Sequence, residues 1–294
     1  MEHSALSVAL LRQRLVSLLQ AMPAAQEGDE ASVHEARVAS RRLREALPVL
    51  GGRADNAAVD RAGKGVRRIT RALGPVRELD VTLSLLAELE GKGAAPLRAI
   101  ARVRSAVLDE RHKRRKAMLH AITPSRIEKL RKRLVKVAAP KPSTQVARDA
   151  IVEAHRKAVL RAHRLRDAID RAGGIYLADR LHRVRIESKK LRYALEIQRD
   201  LQHARSTARL TRLKNQQDLL GRVHDLEVLI ERTREVQASL PASNRRAMGE
   251  LNRLIRALEA ECREGHAEYM RHREALIALC ESVIAEPSRP HSAA

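Results

Sequence analysis

VHEARVASRRLREAL at residues 33–47 returns as LHRVRIESKKLRYAL at residues 181–195, an offset of 148, and this repetition decides how the chain is read. Seven of the fifteen positions are identical, and five more swap within a chemical class. A second pair follows in the same order: LGPVRELDV at 73–81 matches LGRVHDLEV at 220–228, at an offset of 147, with five identities and three like-for-like charge swaps. Biased composition can produce one such match, but hardly two in register. The repeat converts to geometry at about 100° per helical residue. With His34 set to zero, Arg41 falls at about 340°, Arg37 at about 300° and Arg44 at about 280°, with Arg42 flanking at about 80°. Ala36, Ala39, Leu43, Ala46, Leu47 and Leu50 fall between about 120° and 220°, the apolar stripe of a helix packed on a core. In the second copy His182, Arg185, Lys189 and Arg192 take the same angles, with Lys190 in the flanking position.

A basic helix face is ordinarily a solvated face. Such a face normally interleaves acids, however, and these arcs contain none, although like charges at i, i+3 and i, i+4 destabilise an isolated helix. Two matched faces of this kind point to an anionic ligand that offsets the repulsion.

The rest of the chain agrees. Across 294 residues, 58 Lys and Arg stand against 36 Asp and Glu, a net charge of +22, so acidic partners are expected. Aromatics are 1% of residues, with no Trp and no Phe, which removes the usual platform for stacking single-stranded bases. Period-two runs of β-branched residues are absent, and the chain reads as all-α. Helices are expected at about 4–22, ending near Pro23; from Ser32 as N-cap, with Glu35 completing a capping box, to Leu50, with Pro48 ending or kinking it; and at about 56–72, 76–90, 94–122 and 125–138. The stretch APKPSTQ, 139–145, is the richest break and divides the chain into repeats at 1–138 and 146–284. Helix resumes from 146 to 171, breaks at Gly173 and Gly174, and continues to about Ile284 before a frayed tail.

Catalytic patterns are absent. HEARV is not HExxH, no GxxxxGK loop occurs, and Glu78, Asp80, Asp225 and Glu227 stand at i, i+2 spacing, which turns each pair some 200° apart on a helix; ion pairs with nearby Arg are their expected role. No cofactor and no metal site is expected. Cys262 and Cys280 lie 18 residues apart on one helix, roughly 27 Å along its axis, so they cannot pair within it. Two isolated thiols, no secretory leader pattern and no apolar run long enough to span a bilayer suggest a cytoplasmic protein outside the membrane.

HEARVASRRLR, LHRVRIESKKLRYALE and the two LG segments resemble the CHAD family, named for histidines on an α-helical domain, over nearly the whole chain. The resemblance implies two pseudo-symmetric helical bundles enclosing a basic central channel, and non-catalytic binding of inorganic polyphosphate, in some cases on granules. Carried over by position, the anion-contacting residues are His34, Arg37, Arg41, Arg42 and Arg44, with His182, Arg185, Lys189, Lys190 and Arg192. Arg67 and Lys214, each six residues ahead of an LG pair, form a second tier. The family often accompanies a CYTH domain, whose hallmark is ExExK. Here ELEGK, with Glu88, Glu90 and Lys92, closes a helix instead of lying on a strand, so the chain reads as the stand-alone form. The two histidines are expected to gain charge beside an anion, strengthening binding at mildly acidic pH. The alternatives are an RNA or DNA binder, for which net charge argues equally well, and a scaffold for granule surfaces, which would carry its charge outward.

Overall fold

The structure is a computed structural model that describes residues 2–51, 56–93, 95–138, 144–202 and 207–287. Among the described residues all regular structure is helical. The helices are α1 (Glu2–Glu27), α2 (Glu30–Leu50), α3 (Asn56–Gly91), α4 (Leu97–Ala121), α5 (Pro124–Val137), α6 (Thr144–Ala172), α7 (Ala178–Gln202), α8 (Ala208–Ala238) and α9 (Arg245–Ile284). The break assigned to 139–145 lies outside the described residues up to 143, and so does the tail from 288.

Several boundaries differ from the sequence reading, each for a local reason. Helix α1 runs through Pro23 and stops at Gly28, whose φ of 91° is open to glycine but strained for a residue with a Cβ. A Cβ there would also collide with the Arg115 side chain. The N-cap of α2 is Asp29, not Ser32: its carboxylate accepts from the Ser32 N–H at 2.8 Å, which places Ser32 inside the first turn and leaves no capping box. Pro48 lies within α2, which ends two residues later at Leu50, where the Gly51 N–H donates to the Leu47 carbonyl at 2.9 Å. The largest correction is α3, which crosses Gly74 and Pro75 unbroken. Pro75 forfeits one rung of the ladder, but Leu73 and Val76 on either side are fully buried, and their packing outweighs the propensity cost. Beyond Gly174 the expected long helix is three: α7, α8 and α9.

Helices pack mainly with their sequence neighbours, α1 on α2, α2 on α3, α3 on α4, α6 on α7, α7 on α8 and α8 on α9. The apolar stripe read from 33–47 is buried as expected, with Ala36, Leu43, Ala46 and Leu47 at 0–1% exposure. Three apolar clusters form the core. One joins α1, α2, the first half of α3 and α5 to the start of α6 and the end of α7. A second joins the remainder of α6 and α7 to the first half of α8 and the end of α9. The third packs the second half of α3 and α4 against the second half of α8 and the first half of α9. The first and third clusters draw residues from both sides of 139–145, and the second lies wholly after it. Both cysteines are free and buried on α9. No helix among the described residues is long and apolar enough to cross a membrane.

Polar contacts at matching positions, though between different groups, tie α2 to α3 and α7 to α8. In the first, the Thr70 hydroxyl donates to the Ser40 hydroxyl oxygen at 2.9 Å; in the second, the Gln217 amide donates to the Ser188 carbonyl at 3.0 Å. The motif offset of 148 carries Ser40 onto Ser188, and the LG offset of 147 carries Thr70 onto Gln217. Leu43 and Leu191, also at matching positions, are both fully buried. Leu43→Ala should therefore cost about 3 kcal/mol by transfer and cavity terms. Chemical denaturation followed by far-ultraviolet circular dichroism checks this, and Leu191→Ala should fall in the same range.

Candidate functional site

Helices α2 and α7 contact each other, and with α3 and α8 they border a cleft of about 560 Å³. His34, Arg37 and Arg41 enter it from α2; Arg185, Lys189 and Arg192 enter it from α7. The i, i+3, i+7 spacing aims these side chains, because the opposite stripe of each helix is held in the core. Seven Arg and Lys line the cleft against three acids, Glu78, Asp218 and Asp225.

The LG segments supply the room. Arg37 passes so close to α3 that a Cβ on Gly74 would stand 2.9 Å from its Nη1, which donates to the Thr70 carbonyl at 3.3 Å. At the matching place in the second repeat, a Cβ on Gly221 would stand 3.9 Å from Arg185 Nε. The first of these distances leaves no room for a side chain and the second is an ordinary contact, so the glycine is required for the close approach of Arg37 and not for that of Arg185. Arg185 Nη2 is 3.8 Å from Asp225 and Arg192 Nε is 3.6 Å from Glu196, ion-pair distances too long for a hydrogen bond, and Arg185 Nε is buried without a hydrogen-bond partner among the described residues.

This enclosure makes positive charge costly. Burial, then the neighbouring Arg41 and Arg185, lower Arg37 to about 10. Burial, then Arg185 and Arg41, lower Lys189 to about 7. Arg185 is also lowered, chiefly by burial, and Asp225 is raised by burial against the pull of Arg185. His34 is lowered by burial and by Arg77. His182 drops to about 4, by burial and then by His224. Both imidazoles are therefore biased toward the neutral form, and Lys189, brought to about 7, titrates within reach of neutral pH.

The other sequence-predicted residues are placed differently. Arg42 turns into an adjoining cavity of about 720 Å³, with its Nε 3.3 Å from Glu196; this cavity shares His34 and Val38 with the cleft. Arg44 lies 3.5 Å from Glu45, and Lys190 donates to Glu187 at 2.8 Å. His182 stands beside the cleft with its Nδ1 3.1 Å from the Nδ1 of His224, which does line it. Arg67 and Lys214 are exposed, and neither borders the cleft. The acids of the LG segments mostly pair with arginines as expected: Glu78 with Arg232 at 3.5 Å, Asp80 with Arg111 at 2.5 Å and Asp225 with Arg185 at 3.8 Å, while Glu227 accepts from the Tyr176 hydroxyl at 2.7 Å. ELEGK closes α3, where Lys92 donates to Glu88 at 2.6 Å.

Sequence reasoning missed Arg77, Arg222 and His224, which also line the cleft. Arg77 and His224 occupy the same place in the two LG segments, a signal present in the repeat but weighed only for its acids. Arg222 is occupied by Glu88 at 2.6 Å and by Glu261 at 2.6 Å. A larger cavity of about 950 Å³ between α6 and α7 sets five Arg and Lys against four acids, Asp167, Asp170, Asp179 and Glu187, so its charge is nearly balanced. No group of three or more His, Cys, Asp or Glu among the described residues is arranged to hold a metal ion.

Fold and site together define an all-helical protein with a cationic cleft between two helices of a repeated motif. The chain belongs to the CHAD domain family, whose model matches residues 9–234. It is similar to the crystal structure of the CHAD domain from the plant Ricinus communis, at 23% identity and a TM-score of 0.60, covering 97% of this chain and 92% of that one. It is also similar to PptA from Streptomyces chartreusis, at 18% identity and a TM-score of 0.62, covering 96% of this chain and 99% of that one. At these identities the likeness is one of fold. No curated protein matches the chain.

The lowered Lys189 has a measurable consequence. Its pKa is about 7 in the folded protein and near the ordinary 10.5 when unfolded, so the unfolded state holds more protons between those values and stability rises with pH across that window. Chemical denaturation at about pH 7 and about pH 9 should show this rise, and Lys189→Met should flatten it.

Proposed function

We propose that the protein binds inorganic polyphosphate without catalysis, through the cleft between α2 and α7. The observation that carries this reading is the convergence of Arg37, Arg41, Arg185, Lys189 and Arg192 in one partly dehydrated space where bases outnumber acids. Such a cluster costs the fold free energy in the absence of ligand, and a polymer with about one negative charge per phosphate offsets the repulsion along its length. The arginines present planar forks to neighbouring phosphate oxygens, and Lys189 acts as a point charge. The family relationship supports the same ligand.

In this reading the repeats 1–138 and 146–284 are the two halves of one domain. The matched contacts Ser40 with Thr70 and Ser188 with Gln217 support this, because they set the two motif helices alike. The cleft and the adjoining cavity, which share His34 and Val38, form the basic passage, with Arg42 beyond its first stretch. Lys190, Arg44, Arg67 and Lys214 serve as an outer tier that draws the polyanion in by long-range attraction; His182 acts through His224. Polyphosphate is favoured over a nucleic acid by the enclosed position of the charges and by the scarcity of aromatics on which bases could stack. Granule association would follow from the ligand.

Titration calorimetry with long-chain polyphosphate, double-stranded DNA and single-stranded RNA, at matched phosphate concentration and about physiological salt, tests the proposal. Polyphosphate should bind at least about tenfold tighter than either nucleic acid, a difference of about 1.4 kcal/mol. Equal affinity for all three would defeat it in favour of a general nucleic-acid binder. Arg37→Glu combined with Arg185→Glu should abolish binding in a protein that keeps its helical circular dichroism. Arg67→Glu should weaken it only slightly.

A further inference from the structure

Lys189 is unlike the other enclosed lysines of this protein. Lys157 donates to the Glu45 carbonyl at 2.6 Å and lies 3.6 Å from its carboxylate, and Lys190 donates to Glu187 at 2.8 Å. Lys189 has no carboxylate within 4.0 Å of its amine among the described residues. The groups that act on it are Arg37 and Arg41 from α2, Arg185 from its own helix, and Asp225 from α8. It is also the lysine of the cleft, whose other cations are arginines. An amine enclosed by guanidinium groups keeps a large unprotonated fraction near neutral pH, and the same guanidinium groups are donors for phosphate.

We propose that Lys189 is an acylation site: its amine takes the acyl group of a small acyl phosphate whose phosphate is held among Arg37, Arg41, Arg185 and Arg192. The nitrogen lone pair attacks the acyl carbon, the C–N bond forms, and the bond from that carbon to the phosphate oxygen breaks. Orthophosphate leaves with the proton given up by the amine. Nothing is oxidised or reduced, and the acyl phosphate is the one co-reactant. A single phosphate dianion offsets only part of the charge of four arginines, so the amine beside it stays largely unprotonated, whereas a long polyanion neutralises the whole cleft and protects the lysine. Acylation removes one positive charge from the binding face, so it lowers affinity for the polyanion. This inference rests on the reading of the cleft as a phosphate site.

The test incubates the 294-residue chain with acetyl phosphate at about pH 7.5 and measures acetylation at each lysine by peptide mass spectrometry. The unprotonated fraction at that pH is several hundredfold larger for an amine titrating near 7 than for an ordinary one, a gain reduced by its lower intrinsic nucleophilicity. Lys189 should therefore react at least about tenfold faster than the exposed Lys64, Lys113 and Lys132, and excess inorganic phosphate should slow it selectively. Arg41→Gln, checked by circular dichroism, should reduce the advantage, and Arg156→Gln, at an exposed arginine paired with Glu153, should not. A rate at Lys189 equal to or below that of the exposed lysines, or one indifferent to phosphate, overturns the inference. Polyphosphate binding is measured on the same sample. Intact binding with an unreactive Lys189 sinks this inference alone; a reactive, phosphate-protected Lys189 without polyphosphate binding sinks the proposed function and leaves a small-phosphate site.

Discussion

Repulsion among like charges held at partial burial is the constraint on which this structure turns. Helical periodicity alone places His34, Arg37 and Arg41 on one arc, but packing turns the arc inward. The apolar stripes of α2 and α7 are committed to the core, so their charged faces have nowhere to go except the space bounded by α3 and α8. Gly74 then lets Arg37 settle against the next helix, where water is scarce and each charge feels the others. An ordinary surface arginine avoids this by reaching into solvent or finding a carboxylate, as Arg131 does with Glu128 at 2.7 Å. Arg37, Arg41 and Lys189 are instead poised for an anion that the chain does not itself supply in sufficient amount.

Charge balance also separates this cleft from its neighbours. The cavity between α6 and α7 is larger, yet Glu187 alone engages Lys190 at 2.8 Å and Arg183 at 3.6 Å. The cavity holding Arg42 is edged by Arg14 with Asp200 at 3.0 Å and by Arg199 with the same aspartate at 2.7 Å. A polyanion confined to either would have to displace existing ion pairs, so the cleft supplies most of the net gain and the cavity holding Arg42 only extends the path. Volume alone does not rank these spaces.

The helical class, the inward stripe of α2 and the duplicated basic arc were legible because each depends on local periodicity, which sequence records directly. The unbroken course of α3 through Gly74 and Pro75 was not, since it depends on tertiary burial of Leu73 and Val76. Sequence treated each arc as a unit, and the fold divides it. Arg42 and Lys190, matched on the helical wheel, turn into different cavities, while Arg192 faces the cleft and its counterpart Arg44 pairs with Glu45. Those fates depend on which helix lies across the way, and a single helical wheel does not contain that information. Arg77 and His224 were hidden for a related reason: their place in the LG segments was visible, but which side of α3 and α8 meets the motif helices was not. The expectation for the histidines is recast as well, because burial holds His182 at about 4 and brings Lys189 to about 7.

The central claim is that a polyanion relieves the repulsion inside this cleft, and proton uptake reports that relief without a mutation. When the phosphate chain binds, Lys189 should return toward its ordinary pKa and take up a proton from solvent. Calorimetry of polyphosphate binding at about pH 7.5, in two buffers that differ in ionisation enthalpy, measures this directly. The account predicts net uptake, several tenths of a proton per protein, shrinking at lower pH as Lys189 becomes protonated in the free protein. Binding with no proton uptake, or with release, would place the polyanion elsewhere on this basic surface and contradict the account.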